Sequence, residues 1–187
     1  MKIRDFSKET DWPQVWKILE PVFRAGETYA ISTSISEHEC YDLWVEKPCR
    51  TFVVVSDDET ETGNDDNHSS NKIVGAYYLK PNQVVGSNGS HVCNCGYVVA
   101  PQARGQGLAG KMCEHSLQIA VHEGFVAMQY NFVVATNKTA IKIWKKYGFE
   151  IVGTMPLAFC HPTIGFVDAH VMYKLLKPRE EIIGLSH

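Results

Sequence analysis

The sequence predicts a mixed α/β fold in one domain spanning residues 1–187, and three observations carry that expectation. Its 187 residues fit the roughly 100–200 of a single domain, enough to bury about two-thirds of the unfolded surface. Strand and helix signals follow one another as β-α-α-β-β-β-α-β-α-β-β with no internal repeat, the pattern of a mixed sheet flanked by helices. The near-continuous apolar run from Val126 to Thr136 reads as a strand covered on both faces.

Each element has a local signal. Met1 to Phe6 alternates as a short strand. Thr10-Asp11-Trp12-Pro13 then offers cap-type residues ahead of a proline suited to a first helical turn, and Val15, Ile18, Leu19 and Val22 recur at helical spacing up to Gly26. Ser36-x-x-Glu39 is a capping box opening a second helix through Cys40, Leu43 and Trp44. Arg50 to Val55 and Lys72 to Leu79 are β-branched and aromatic and read as a hairpin. The connection at 56–71 holds six carboxylates and almost nothing apolar, so it is expected to be a poorly ordered acidic loop. A strand from His91 to Ala100 leads through a glycine turn into a helix from Leu108 to Glu123, ended by Gly124. After the apolar strand, Lys138 to Tyr147 carries Ile141, Ile143 and Trp144 in helical register up to Gly148, and strands are expected at Phe149 to Gly153 and Asp168 to Leu176.

Composition removes several function classes. Eighteen Lys and Arg against 21 Asp and Glu, a formal charge of -3, give no field that attracts phosphate backbones or anionic lipid, so neither nucleic acid nor membrane is an expected partner. No apolar run approaches signal-peptide or membrane-spanning length, which places the protein in the cytoplasm. The six cysteines are then expected to be reduced and buried, and the Asn67, Asn88 and Asn137 sequons to be chance. Cys93-x-Cys95 lacks both the C-x-x-C spacing and the second ligand pair of a zinc site, so no metal is expected.

The turn Gln102-Ala103-Arg104-Gly105-Gln106-Gly107-Leu108-Ala109 carries the chemistry. A helix start exposes unpaired N–H groups and the positive end of its dipole, and glycines remove the Cβ atoms that would hold a phosphate away. Arg104 adds a fixed positive charge beside them. The alternative is a tight strand-to-helix connection that uses glycine for its backbone angles. Gly105-x-Gly107-x-x-Gly110 also satisfies a dinucleotide fingerprint, but three strands precede the one that leads into it, Pro101 to Arg104 intervene, and no carboxylate ends the next strand.

Strand, Gln102-x-x-Gly105-x-Gly107, helix, strand, Asn137, helix and Tyr147-Gly148-Phe149 together resemble the acetyl-CoA core of the GNAT N-acetyltransferases. From Tyr77 to Leu176, the segments Tyr77-Tyr78-Leu79-Lys80-Pro81-Asn82, Cys93-Asn94-Cys95-Gly96-Tyr97, Asn131-Phe132-Val133 and Val167-Asp168-Ala169 are similar to the fungal azetidine-2-carboxylate N-acetyltransferases. The N-terminal part has no recognisable counterpart in them. The resemblance implies a mostly antiparallel sheet in which the strands at 91–100 and 126–136 run parallel and splay apart.

It further implies that acetyl-CoA is the cosubstrate and a small-molecule amine the acceptor, with a proline-like cyclic amino acid as the sharpest candidate. The pyrophosphate would lie on the amides of Arg104 to Ala109 and the pantetheine arm beside Val98, Val99 and Ala100, with an amide of Val98 or Val99 polarising the thioester. Asn94 and Asn131 would hold the acceptor, Asn137 would contact coenzyme A near the thioester, and Tyr147 would give the thiolate its proton. Phe132, Val133 and Tyr97 would line the acceptor pocket. Each has a plainer alternative: packing for Tyr147, hydrogen bonding within the sheet for the asparagines. Glu27, His91 and His170 are the candidate bases beside a water-relayed proton exit. Transfer to another primary amine, a coenzyme-A-binding module without turnover, and pairing of two copies stay open.

Overall fold

A computed structural model describes residues 1–57 and 72–184. Its seven strands are β1 (Lys2–Asp5), β2 (Arg50–Val55), β3 (Ile73–Pro81), β4 (Val92–Val99), β5 (Ala127–Val134), β6 (Glu150–His161) and β7 (Gly165–Leu175). The helices are α1 (Trp12–Ala25), α2 (Glu37–Tyr41), α3 (Leu108–His122), α4 (Lys138–Lys146) and α5 (Arg179–Gly184). The strands form one sheet in the order β1-β2-β3-β4-β5-β7-β6, antiparallel throughout except for the β4–β5 pair. The expected acidic loop lies, from residue 58 onward, outside the described residues.

Side-chain alternation gives the sheet two distinct faces. On one, Tyr77 stacks on Phe52 at 4.9 Å and its hydroxyl meets His115 Nδ1 of α3 at 2.6 Å, while Trp144 of α4 lies 4.9 Å from Tyr97. On the other, Trp44 stands edge-on to Tyr78 at 4.9 Å, and α1 contributes Val15, Ile18, Leu19 and Phe23 to the buried core. A bidentate Arg4–Asp11 pair (2.6 and 2.9 Å), joined by the Ser7 N–H at 2.8 Å, fixes the passage from β1 into α1.

The capping box forms: Ser36 Oγ accepts from Glu39 N at 3.2 Å, and Glu39 Oε2 accepts from Ser36 N at 2.8 Å. The α-helix it opens stops at Tyr41, and Asp42–Glu46 continue as a π-helical turn, so Leu43 and Trp44 lie beyond the expected helix. That turn buries Trp44, whose indole N–H has no partner among the described residues. Gly124 and Gly148 follow α3 and α4 at φ 85° and 83°, the left-handed stop that only glycine takes without strain.

The last hairpin corrects the sequence expectation most. Its strands run 12 and 11 residues, and β7 lies between β5 and β6. Between Met155 and Phe159 the pairing is bulged, and Leu157 takes φ 51° there with its N–H held by Asp168 Oδ1 at 3.0 Å. Helix α5 lies beyond the last element that the sequence predicts. Cys40, Cys93, Cys95 and Cys113 are buried free thiols, but Cys49 and Cys160 are exposed, against expectation.

Candidate active site

The glycine turn presents an open cradle. Ala103 and Leu108 are buried and anchor it, whereas Gln102, Arg104, Gly105, Gln106 and Gly107 face outward. Gly105 and Gly107 sit at φ 78° and 76°, and a Cβ on either would meet nothing within 4 Å, so bare backbone faces free space. Gly107 is the N-cap of α3 and offers no side-chain cap. The first N–H groups of that helix therefore remain available, next to the Arg104 side chain, which makes no ion pair among the described residues. The residues present fit a pyrophosphate.

Below the turn the sheet opens. The parallel pairing of β4 and β5 covers only Val92↔Ala127 and Cys93↔Met128. At the next step Asn94 Nδ2 donates to the Gln129 carbonyl at 2.7 Å, so a side chain fastens the strands where the backbone ladder ends. Peptide groups alternate along β4. Ala100 N donates to Val74 O at 2.9 Å and Val92 O accepts from Asn82 N at 2.8 Å, so even-numbered residues turn to β3. His91 O accepts from Val126 N at 3.0 Å, so odd-numbered residues turn to β5. Val98 and Ala100 are thus corrected as main-chain contacts for an arm in the gap, because their peptide groups belong to the β3 ladder. Val99 is retained.

Tyr97, two residues before Val99, has its gap-facing groups occupied. Tyr29, from the connection between α1 and α2, reaches across: its hydroxyl donates to Tyr97 O at 2.7 Å and accepts from Tyr97 N at 3.0 Å. Tyr147 stands on the α3 side, its hydroxyl 3.1 Å from where a Gly110 Cβ would be, so Gly110 provides space for Tyr147 against the first turns of α3. Burial, with Glu114 and Cys113 nearby, raises the Tyr147 pKa and keeps its proton in place.

Comparison with known proteins decides the family. Residues 12–149 match the family model described as Acetyltransferase (GNAT) family. The chain belongs to that family. N-acetyltransferase aca1 of Schizosaccharomyces pombe is 30% identical over 151 residues, covering 78% of this chain and 71% of that one. N-alpha-acetyltransferase 50 of Danio rerio is 35% identical over 79 residues, but this match spans only 42% of this chain and 45% of that relative. Among solved structures, a GCN5-related N-acetyltransferase from Kribbella flavida superposes with TM-score 0.80 at 34% identity, covering 93% and 96% of the two chains. The yncA structure from Salmonella typhimurium, determined with its cofactor acetyl-CoA, superposes at 0.72 with 16% identity over 96% and 95%, a likeness of fold.

This GNAT acetyltransferase gathers its expected asparagines on the sheet face opposite α3. Asn94 is buried, whereas Asn131 is exposed; Asn131 Nδ2 donates to Asn82 Oδ1 at 2.6 Å and Asn131 Oδ1 accepts from Gln129 Nε2 at 2.8 Å. Residues 82, 94, 129 and 131 thus form one band of amides across the mouth of the gap. Tyr78 lies beside it, its ring over Gly96, where a Cβ would come within 2.5 Å. Asn137 caps α4, its Oδ1 accepting from Ala140 N at 3.1 Å. The cap takes up one lone pair of Oδ1 and leaves Nδ2 outside it.

Two expected pocket walls fall elsewhere. Tyr97 and Val133 point to the α3 side, where the Tyr97 hydroxyl meets Ser116 at 2.7 Å and Tyr130 at 2.9 Å. Phe132 is half-buried 6.1 Å from Phe159. The aromatic side chains beside the amides are Tyr29 and Tyr78 instead, backed by the buried Trp44, whose ring centre lies 6.1 Å from Tyr29 and 4.9 Å from Tyr78. Of the candidate bases, His170 Nδ1 lies 2.9 Å from Thr154 Oγ1, while Glu27 and His91 are exposed. Among the described residues no three His, Cys, Asp or Glu could hold a metal, and no helix is long and apolar enough to cross a membrane.

Proposed function

We propose that the chain transfers the acetyl group of acetyl-CoA to the amine of a small molecule, with a proline-like cyclic amino acid such as azetidine-2-carboxylate as acceptor. The observation that carries this reading is the alignment of an uncapped glycine turn with a gap between parallel strands that begins after two residue pairs. An extended, amide-bearing arm with a pyrophosphate at one end matches both features. The thioester supplies an activated acetyl group in the gap.

The chain's own groups do the rest. The N–H groups of Gly105 to Ala109 and the Arg104 guanidinium bind the pyrophosphate, and Val99 pairs with the arm through its N–H and C=O. A gap-facing amide on β4 polarises the thioester carbonyl, with Tyr97 N–H available once Tyr29 withdraws. Tyr147, whose raised pKa keeps it protonated, gives its proton to the departing thiolate. Asn94 and Asn131 orient the acceptor so that its neutral nitrogen faces the thioester, and its proton leaves by water. Neutral amides with no acidic cluster disfavour a polycation. The related cytoplasmic location and a pairing of two copies belong to the same proposal.

Thiol release from acetyl-CoA across an amine panel tests this. Azetidine-2-carboxylate or another proline analogue is expected to react faster than spermidine. Preference for spermidine rejects the acceptor assignment, and no release with any amine rejects turnover.

A further inference from the structure

We infer that Lys80 is the cation that receives the carboxylate of the acceptor, and so selects amino acids over simple amines. The inference rests on the acetyltransferase reading above and adds a residue and a charge class to it.

Lys80 and Asn94 are directly opposed in the β3–β4 register, as are Tyr78 and Gly96, so all four share the face that carries the amide band. The direction of the Lys80 side chain follows from its neighbours. The Tyr78 ring lies across β4 because Gly96 has no side chain to stop it, and its hydroxyl stands 3.5 Å from Asn94 Oδ1. Lys80 Nζ lies 5.4 Å from the centre of that same ring. The ammonium is therefore folded over Tyr78, next to the Asn94 step where β4 and β5 part.

No carboxylate answers this charge. Among the described residues Lys80 has no acidic partner within 4.0 Å, and every other cation in contact with an acid lies elsewhere. Burial, followed by the neighbouring Lys47, lowers the Lys80 pKa, as expected where two cations meet without an anion between them. Asn82, Asn94, Gln129 and Asn131 supply hydrogen bonds but no negative charge. A half-buried, unmatched cation beside a neutral amide band favours an anion, and the anion that an N-acetyl acceptor most simply brings is its own carboxylate. The ring of Tyr78, backed by the buried Trp44, leaves the rest of such an acceptor an apolar contact.

The test compares azetidine-2-carboxylate with its carboxamide, using wild type, Lys80→Met and Lys80→Arg. Binding of each acceptor to the coenzyme-A-loaded protein is measured by calorimetry, beside steady-state thiol release. Lys80→Met is expected to weaken binding and raise KM for the carboxylate about 10-fold or more, with kcat within about twofold. The carboxamide should be unaffected, and Lys80→Arg should recover most of the loss. Equal losses with both acceptors, no loss with either, or a wild-type preference for the carboxamide overturns the assignment. Unaltered acetyl-CoA affinity in all three proteins shows that the cosubstrate site is intact, which separates failure at Lys80 from failure of the acetyltransferase reading.

Discussion

Asn94 and Gln129 hold the vertex of the gap: the side-chain amide of one donates to the main-chain carbonyl of the other at 2.7 Å, one residue beyond the last parallel pair. Asn94→Ala removes the donor and leaves that carbonyl without its partner. Unfolding in denaturant is expected to show a loss of about 1–2 kcal/mol, within the usual cost of an unsatisfied buried group. Asn94→Asp should lose more, because a carboxylate would face the Gln129 carbonyl.

The proton-donor role proposed for Tyr147 can be separated from its packing against Gly110. Tyr147→Phe keeps the ring on Gly110 and removes only the hydroxyl. Turnover is expected to fall by about 10²-fold with acetyl-CoA affinity unchanged, the mark of a lost proton donor. Unchanged turnover would leave the residue a packing contact.

The Tyr29 hydroxyl engages both gap-facing groups of Tyr97. In the proposed placement, an incoming pantetheine arm competes with it for those groups. Tyr29→Phe is expected to bind acetyl-CoA more tightly, by roughly 3–10-fold if one net hydrogen bond no longer has to be broken. Calorimetric titration of both proteins reads this directly, and weaker binding in the variant would make Tyr29 a cosubstrate contact instead.

Burial lowers the His115 pKa from 6.5, with Asp5 opposing and Arg50 adding to the shift. The unfolded chain therefore binds this proton more readily than the folded one. Stability from this group is complete above about pH 6.5 and declines as the pH falls from there toward the lower folded value. His115→Gln should flatten that part of the curve of Tm against pH. An unaltered slope would show that His115 is not its source.

The elements legible in the sequence were those specified locally. Ser36 and Glu39 announce their helix start, Gly124 and Gly148 their stops, and the run Arg50 to Val55 matches β2 in both bounds. What was missed depends on distant partners. Pro156 and the bulge at Leu157 interrupt the alternation of β6, and Asp168 on β7 holds the Leu157 N–H. The open turn from Gln102 to Ala109 was readable because it is main-chain and contiguous. The placement of Tyr29 and Lys80 was not, because it depends on Tyr97 and on the strand register. Val98 was misjudged for a related reason: which way a peptide group faces is set by the β3–β4 pairing.

The central claim is that bare backbone at the start of α3 binds acetyl-CoA. Gly107 has φ 76° and open space where a Cβ would stand, so Gly107→Glu puts a strained, anionic side chain into the cradle. Calorimetric titration with acetyl-CoA is expected to give saturable binding to the wild type and none to Gly107→Glu, with both proteins folded by circular dichroism. Wild-type affinity in the folded variant would contradict the account.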